Sequence, residues 1–386
     1  MDPDPNASRQ RVAPSQKTET KCQTIRNQNF GRNGWRLAPS KTSGRLTPES
    51  TSIMNNQANQ THEHTIFLAL EQAWKEQLHL APCVLTLRSL PNPSWPFLVS
   101  GGLNGFIRFL ERYRMPAAQI GRMRQEMELD PEFLEVVREC RGEINVLGIA
   151  EGELFATGLP VLELHGTVLD CMVLRARADQ MLRLGITTAT ATSLLRVHYP
   201  DTDFAYSGTT PAGEEAVLLM EGAARVAEWT GPVTATLPST LVWNEARVPP
   251  DLPDAQEGAV VLDLRQLIAN GPTLEWQLWS RPQCPADWCT NADMSIGSGP
   301  SHIYRMLDDD GRYEADKIVP RGTPAPDGSR SLLQRFADRG RPCRPLPDTA
   351  RSRIMGDRSR EEIGDVQSLV AGTRQLSIQE ETANDP

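Results

Sequence analysis

Long apolar runs are missing from this sequence of 386 residues, and no stretch approaches the length and apolarity of a membrane span. Behind the charges of its opening, MDPDPNASRQRVAPSQ, lies no apolar core, so no secretory signal is expected. Basic charge is in deficit as well. A formal net charge of -9 suits a soluble protein and gives no global pull toward nucleic acid. Cysteine is neither dense nor ordered: seven residues, an odd number, stand at 22, 83, 140, 171, 284, 289 and 343. That pattern favours free thiols in a reducing compartment over a disulfide framework. Cys284 and Cys289 in CPADWC form one loose pair with His302 beyond, whereas a zinc ribbon needs two tight pairs. The expectation is a cytoplasmic protein with neither a membrane nor a nucleic acid as partner.

What remains is enough chain for two domains around a core that needs no disulfide. Residues 1–60 are rich in Ser, Thr, Asn, Gln and Arg, with apolar residues only singly, and read as a disordered polar arm. The arm is locally basic, which a solvated leader accounts for. Residues 321–386 mix Pro, Gly, Arg and Glu and read as a polar C-terminal tail. Between them the periodicity is informative. Ile66, Ala69, Leu70, Ala73, Trp74 and Leu78 recur at helical spacing, as do Leu103, Phe106, Ile107 and Leu110 after the paired glycines of SGGLNG. PCVLTLRSLP reads as a short strand. Asp130 and Pro131 read as the N-cap and first residue of a helix. A glycine-punctuated, β-rich stretch follows to about residue 167, then two helices, 168–183 and 186–198. Later segments alternate: strands near 203–207, 232–237, 259–263 and 293–296, a helix near 213–228, and a hairpin 302–308/312–318 turning at Asp310-Gly311. Strands alternating with helices predict an α/β protein with parallel pairing.

Several of these pieces, in order, resemble the nicotinate phosphoribosyltransferase family, the type II pyridine phosphoribosyltransferases. The markers are FLVSGGLNGFIRFLERYR, then DPEFLEVVRECRGEINVLGIAEGELFATGLPVLELHGTVLDCMVL, TATATSLLRV and SIGSGPSHIYRMLDDDGRYEADKI, collinear from about His64 to Lys317. The resemblance implies an N-terminal α/β sandwich domain over 61–165 and an irregular, incomplete α/β barrel domain over 166–320. It also implies a homodimer with a shared site, and transfer of phosphoribose from phosphoribosyl pyrophosphate to nicotinate with Mg2+ and ATP.

Displacing pyrophosphate from a sugar carbon builds positive charge on the ribose and negative charge on the leaving group. It therefore calls for cationic or backbone donors, a metal held by oxygen ligands, and in-line positioning. Matched to the family's motifs, this chain departs at several points. Ser207 and Gly208 stand where the family has an arginine pair that would grip a carboxylate or phosphate. Ser239 stands where the family has its phosphorylated histidine. The six histidines, His62, His64, His79, His165, His198 and His302, all lie elsewhere in the sequence. Serine cannot form the labile phosphoramidate, so ATP coupling by the family mechanism is not expected. Asp263 alone survives from a two-acid motif and is the candidate Mg2+ ligand and catalytic carboxylate. Gly297, Ser298 and Gly299 stand at the family's phosphate-receiving glycine loop, with Pro300 removing one N–H. Structural readings compete throughout: a strand-to-helix turn at Ser207 and Gly208, a helix cap at Asp263 and a tight turn at 297–299.

Two functions follow from different classes. One is pentosyl transfer to a pyridine or related nitrogen heterocycle without ATP coupling, Ser239 and Asp263 serving as the catalytic pair. In it Ser207, Gly208, Gly297, Ser298 and Gly299 contact phosphoribosyl pyrophosphate. The other is a catalytically inactive relative that senses a nucleotide or scaffolds a partner, with the 1–60 arm as its contact.

Overall fold

The computed structural model describes residues 65–92, 95–198, 204–207, 213–227, 260–263, 271–280 and 294–381. Its first part runs α1 (residues 65–75), β1 (Pro82–Ser89), β2 (Leu98–Val99), α2 (Leu103–Glu111), α3 (Ala117–Glu126) and α4 (Pro131–Glu139). Next come β3 (Asn145–Ile149), β4 (Leu154–Phe155), β5 (Pro160–Thr167), α5 (Val168–His198), β6 (Phe204–Ser207), α6 (Gly213–Ala227) and β7 (Val260–Asp263). The remainder is β8 (Leu274–Ser280), β9 (Ser295–Ile296), β10 (Ser301–Leu307), β11 (Tyr313–Pro320), β12 (Ser329–Ser331), β13 (Leu333–Asp338) and β14 (Arg341–Pro342), followed by α7 (Thr349–Ile363), α8 (Val366–Val370) and β15 (Ile378–Glu380). The α/β class expected from the sequence is what is found. No helix among the described residues is long and apolar enough to cross a membrane.

A seven-stranded sheet, in the order β14-β13-β3-β5-β1-β8-β9, organises the core. Its register divides it into two unlike faces. Leu85 pairs with Leu164 and Leu278, and Leu87 with Leu162 and Trp276, so one face is apolar and packs with the helices in the main core. On the other face Thr86 lies between Glu163 and Gln277, and Val84 between His165 and Trp279. A four-stranded sheet, β12-β10-β11-β15, and the parallel pair β6-β7 complete the frame with the short β2-β4 pair.

Three sequence expectations are corrected. The two helices 168–183 and 186–198 are one helix of 31 residues. Gly185 does not break it, because a helical glycine costs only about 1 kcal/mol, and here the missing side chain is used for contact. A Cβ at 185 would lie 2.4–2.5 Å from backbone atoms of Gly101 and Gly102, so the helix axis rides directly over that turn. Second, the strands of the large sheet are drawn from both sides of residue 165, β1 and β3 before it, β5 across it and β8, β9, β13 and β14 after it, so a boundary at 165/166 does not divide it. Third, residues 321–386 are not a loop and tail: through Glu380 they supply four strands and two helices. Helix α7 escaped the periodicity test because its buried face is Ser352, Gly356, Ser359, Arg360, Glu362 and Ile363, mostly not apolar. Its ends carry ordinary signals, an Asp348 carboxylate accepting from Arg351 N and Gly364 at φ 76°.

Those buried hydroxyls and glycines let α7 reach a buried ionic cluster. Arg305 of β10, with no exposed side chain, donates through Nε and Nη2 to the two Asp316 oxygens at 2.9 and 3.2 Å. Its Nη1 donates to Glu153 at 3.2 Å and to Ser359 Oγ at 2.8 Å, and Nη2 donates to the Leu154 carbonyl at 2.7 Å. Arg330 of β12 bridges Glu153 and Glu362, and Arg358 adds a contact to Glu362 at 3.0 Å. Burial alone would push the Arg305 guanidinium down, but the Asp316 charge and hydrogen bond, with Glu153, hold it charged. The cluster ties three strands of the smaller sheet, β10, β11 and β12, to β4 and α7. Replacing Arg305 with Met would leave two buried carboxylates short of a partner. A loss of about 3–5 kcal/mol is expected, read as a lower urea midpoint, and Arg305→Lys recovers only part of it because the two-pronged geometry is gone.

Candidate functional site

Helix–strand alternation past residue 200 predicts parallel pairing, and β6 and β7 are parallel. Their register sets Phe204 opposite Val260 and Ser207 opposite Asp263. Two of the sequence-selected residues are therefore neighbours at the carboxyl ends of adjacent parallel strands. In open α/β sheets that is where ligands bind. Helix α6 starts six residues after Ser207 in sequence, at Gly213. Gly208 and Ser239, the strand expected near 232–237, the Cys284/Cys289 pair and the 1–60 arm lie outside the described residues. Among the described residues, no three His, Cys, Asp or Glu side chains gather in a metal-holding group.

The glycine loop sits elsewhere, at the edge of the large sheet. It leaves β9, which runs parallel to β8. Gly297 N donates to the Leu278 carbonyl at 2.8 Å, and Gly299, at φ 103°, crosses the face of Trp279. A Cβ at 299 would lie 3.3–3.5 Å from indole atoms, in a backbone conformation that disfavours any side chain. Pro300 has no N–H, and Ser301 N donates to Glu163 Oε1 at 3.0 Å. Two of the donors that an anion nest would offer are thus committed within the protein. The signal read as a phosphate cradle is, at Gly297 and Gly299, explained by edge pairing and by the indole beneath.

Beside the loop lies a cluster that the sequence reading did not select. Glu163 and His165 alternate along β5, which puts both on the polar face of the sheet. Glu163 is fully buried. Its Oε1 accepts from Ser301 N and from Ser301 Oγ at 3.1 Å, and its Oε2 accepts from His165 Nε2 and Arg321 Nη2, each at 2.8 Å. Arg321 Nη1 stands 3.4 Å from both ring nitrogens of His165. Burial pushes the Glu163 carboxyl up, but the His165 hydrogen bond and charge, the Ser301 N–H and Arg321 outweigh it and hold it below the usual range. Nearby, burial and the Arg321 charge push His302 down, against the pull of Glu163. The spacing Glu-x-His on a strand was the available signal, and nothing in the sequence alone linked it to Ser301 and Arg321, more than 130 residues on.

The sequence matches no known family model and no curated protein. Solved structures do share the fold. Human nicotinic acid phosphoribosyltransferase superposes with a TM-score of 0.62 at 14% identity, covering 82% of this chain and 97% of that one. Nicotinate-nucleotide pyrophosphorylase from Pyrococcus furiosus superposes with a TM-score of 0.50 at 12% identity, covering 83% and 98%. The chain therefore has an α/β phosphoribosyltransferase fold across nearly the whole length of these two neighbours. At such identity the likeness establishes the fold and leaves the chemistry to the residues.

The pH dependence of stability follows from the signs. A carboxylate held low in the folded state stabilises above its unfolded pKa, about 4.3 for Glu, and that contribution disappears as pH falls through the folded value. Glu362 adds in the same direction, because Arg330 holds its carboxyl low against burial. Stability is expected to fall steeply below about pH 4. Glu163→Gln should lower the plateau at neutral pH and flatten that limb, as measured by urea unfolding at a series of pH values.

Proposed function

We propose that this chain transfers a phosphoribosyl group between pyrophosphate and a pyridine or related nitrogen heterocycle, without ATP coupling, at the carboxyl ends of β6 and β7. The observation that carries the reading is the Ser207–Asp263 pairing at the ends of parallel strands, within a fold shared with two pyridine phosphoribosyltransferases. In the reaction, the lone pair of the ring nitrogen forms a bond to the anomeric carbon while the carbon–oxygen bond to pyrophosphate breaks, its electrons leaving with the pyrophosphate. In this reading Asp263 favours the positive charge that builds on the ribose and shares in holding Mg2+. One carboxylate suffices for that only if substrate phosphates complete the shell, a usual arrangement for this ion. Ser207 and Gly208 offer a hydroxyl and close backbone approach in place of two cations. That suits a heterocycle without a carboxylate better than nicotinate. Ser239 replaces the histidine of the resembling family, which removes the coupling step and leaves a hydroxyl at that position.

A second reading, an inactive relative that senses a nucleotide or scaffolds a partner, is favoured by one observation. The glycine loop spends its Gly297 and Ser301 N–H groups inside the protein. Both readings expect a homodimer. The buried Cys83, Cys140 and Cys171, all free, suit a reducing cytoplasm.

Thermal unfolding with phosphoribosyl pyrophosphate and Mg2+ separates them. The transferase reading expects stabilisation that Asp263→Asn removes. It further expects pyrophosphate release, followed by phosphorus NMR, with one of nicotinate, nicotinamide or quinolinate in the absence of ATP. A melting temperature indifferent to the sugar pyrophosphate overturns it and leaves the scaffold.

A further inference from the structure

Four donors meet one buried carboxylate at Glu163, two on each oxygen: a backbone N–H and a hydroxyl on Oε1, an imidazole and a guanidinium on Oε2. The donors come from three places in the chain, β5, the start of β10 and the residue after β11. Such a constellation is what a protein assembles to bind a free carboxylate: a planar two-oxygen acceptor, a charged fork and directional neutral donors. The side chain that fills it is fully buried, whereas His165 and Arg321 are 17% and 28% exposed, so the donor shell opens toward solvent and the acceptor does not.

We infer that Ser301, where the glycine loop ends, forms with His165 and Arg321 a carboxylate-binding site closed in cis by Glu163. Its occupant class is a small carboxylate, not a phosphate, because the donors divide evenly between two oxygens in place of wrapping a tetrahedron. Closure fixes the start of β10 against the large sheet and sets the glycine loop over Trp279. It bears on the proposed reaction only by withdrawing the Ser301 N–H and hydroxyl from a substrate phosphate. The site stands or falls on its own chemistry, since its readout is stability and requires no turnover.

Chemical rescue of the full chain tests it. Glu163→Ala empties the site and lowers the melting temperature in sodium chloride. Sodium acetate at matched ionic strength restores most of that loss while leaving the wild type unmoved. Sodium phosphate restores less, and the double variant Glu163→Ala, Arg321→Met is not rescued. If Glu163→Ala does not fold in chloride, refolding yield in acetate against chloride gives the same comparison. Equal responses to the three salts, no response to acetate, or rescue that survives loss of Arg321 overturns the assignment.

Discussion

Everything in the described frame leans on a guanidinium that water never reaches. Arg305 is held by Asp316, Glu153, Ser359 and the Leu154 carbonyl, drawn from three separate parts of the chain. Burying one charge without partners is prohibitive, and burying a matched set is tolerable only when every donor is met. That condition fixes where α7 must sit: Ser359 and Glu362 have to face inward, and Gly356 has to pass the Gly152 carbonyl, 2.9 Å from where its Cβ would stand. Helix α7 is therefore positioned by electrostatic matching as well as by the apolar contacts of Ile363.

Glu163 repeats the principle on a smaller scale. Both clusters join the hairpin β10–β11 and its flanks to earlier parts of the chain, Arg305 through β4 and Glu163 through β5. Glu163, together with the Gly297 N–H on the Leu278 carbonyl, holds the glycine loop at the rim of the large sheet. The proposed reaction is assigned to the ends of β6 and β7, where Ser207 and Asp263 stand opposite each other in register. An active site that lacks the expected cations can still bind a sugar pyrophosphate if the metal carries part of the charge, which is how Mg2+ sites with few protein ligands work.

How much of this was legible beforehand depended on whether the governing contact was local. The hairpin was readable because Asp308 and Gly311 make its turn: Asp308 Oδ1 accepts from Asp310 N and Arg312 N, and Gly311 takes φ 75°. So was α4, whose Asp130 caps the Glu132 N–H. The parallel run of β6 and β7 followed from the alternation of strand and helix. By contrast, Gly185 looked like a helix break because its reason for being glycine is the Gly101–Gly102 turn more than eighty residues earlier. Helix α7 was invisible to apolar periodicity because polar partners, not greasy ones, await its buried face. The Gly297–Gly299 loop had the composition of a phosphate cradle, and only the positions of Leu278, Trp279 and Glu163 reveal how its backbone is used.

The most direct measurement is hydrogen exchange of the intact chain with and without phosphoribosyl pyrophosphate and Mg2+, followed peptide by peptide. Binding at the ends of the parallel strands slows exchange in segments carrying 204–207 and 260–263 and leaves 295–302 unchanged. Protection concentrated in 295–302, or none at either place, would contradict it.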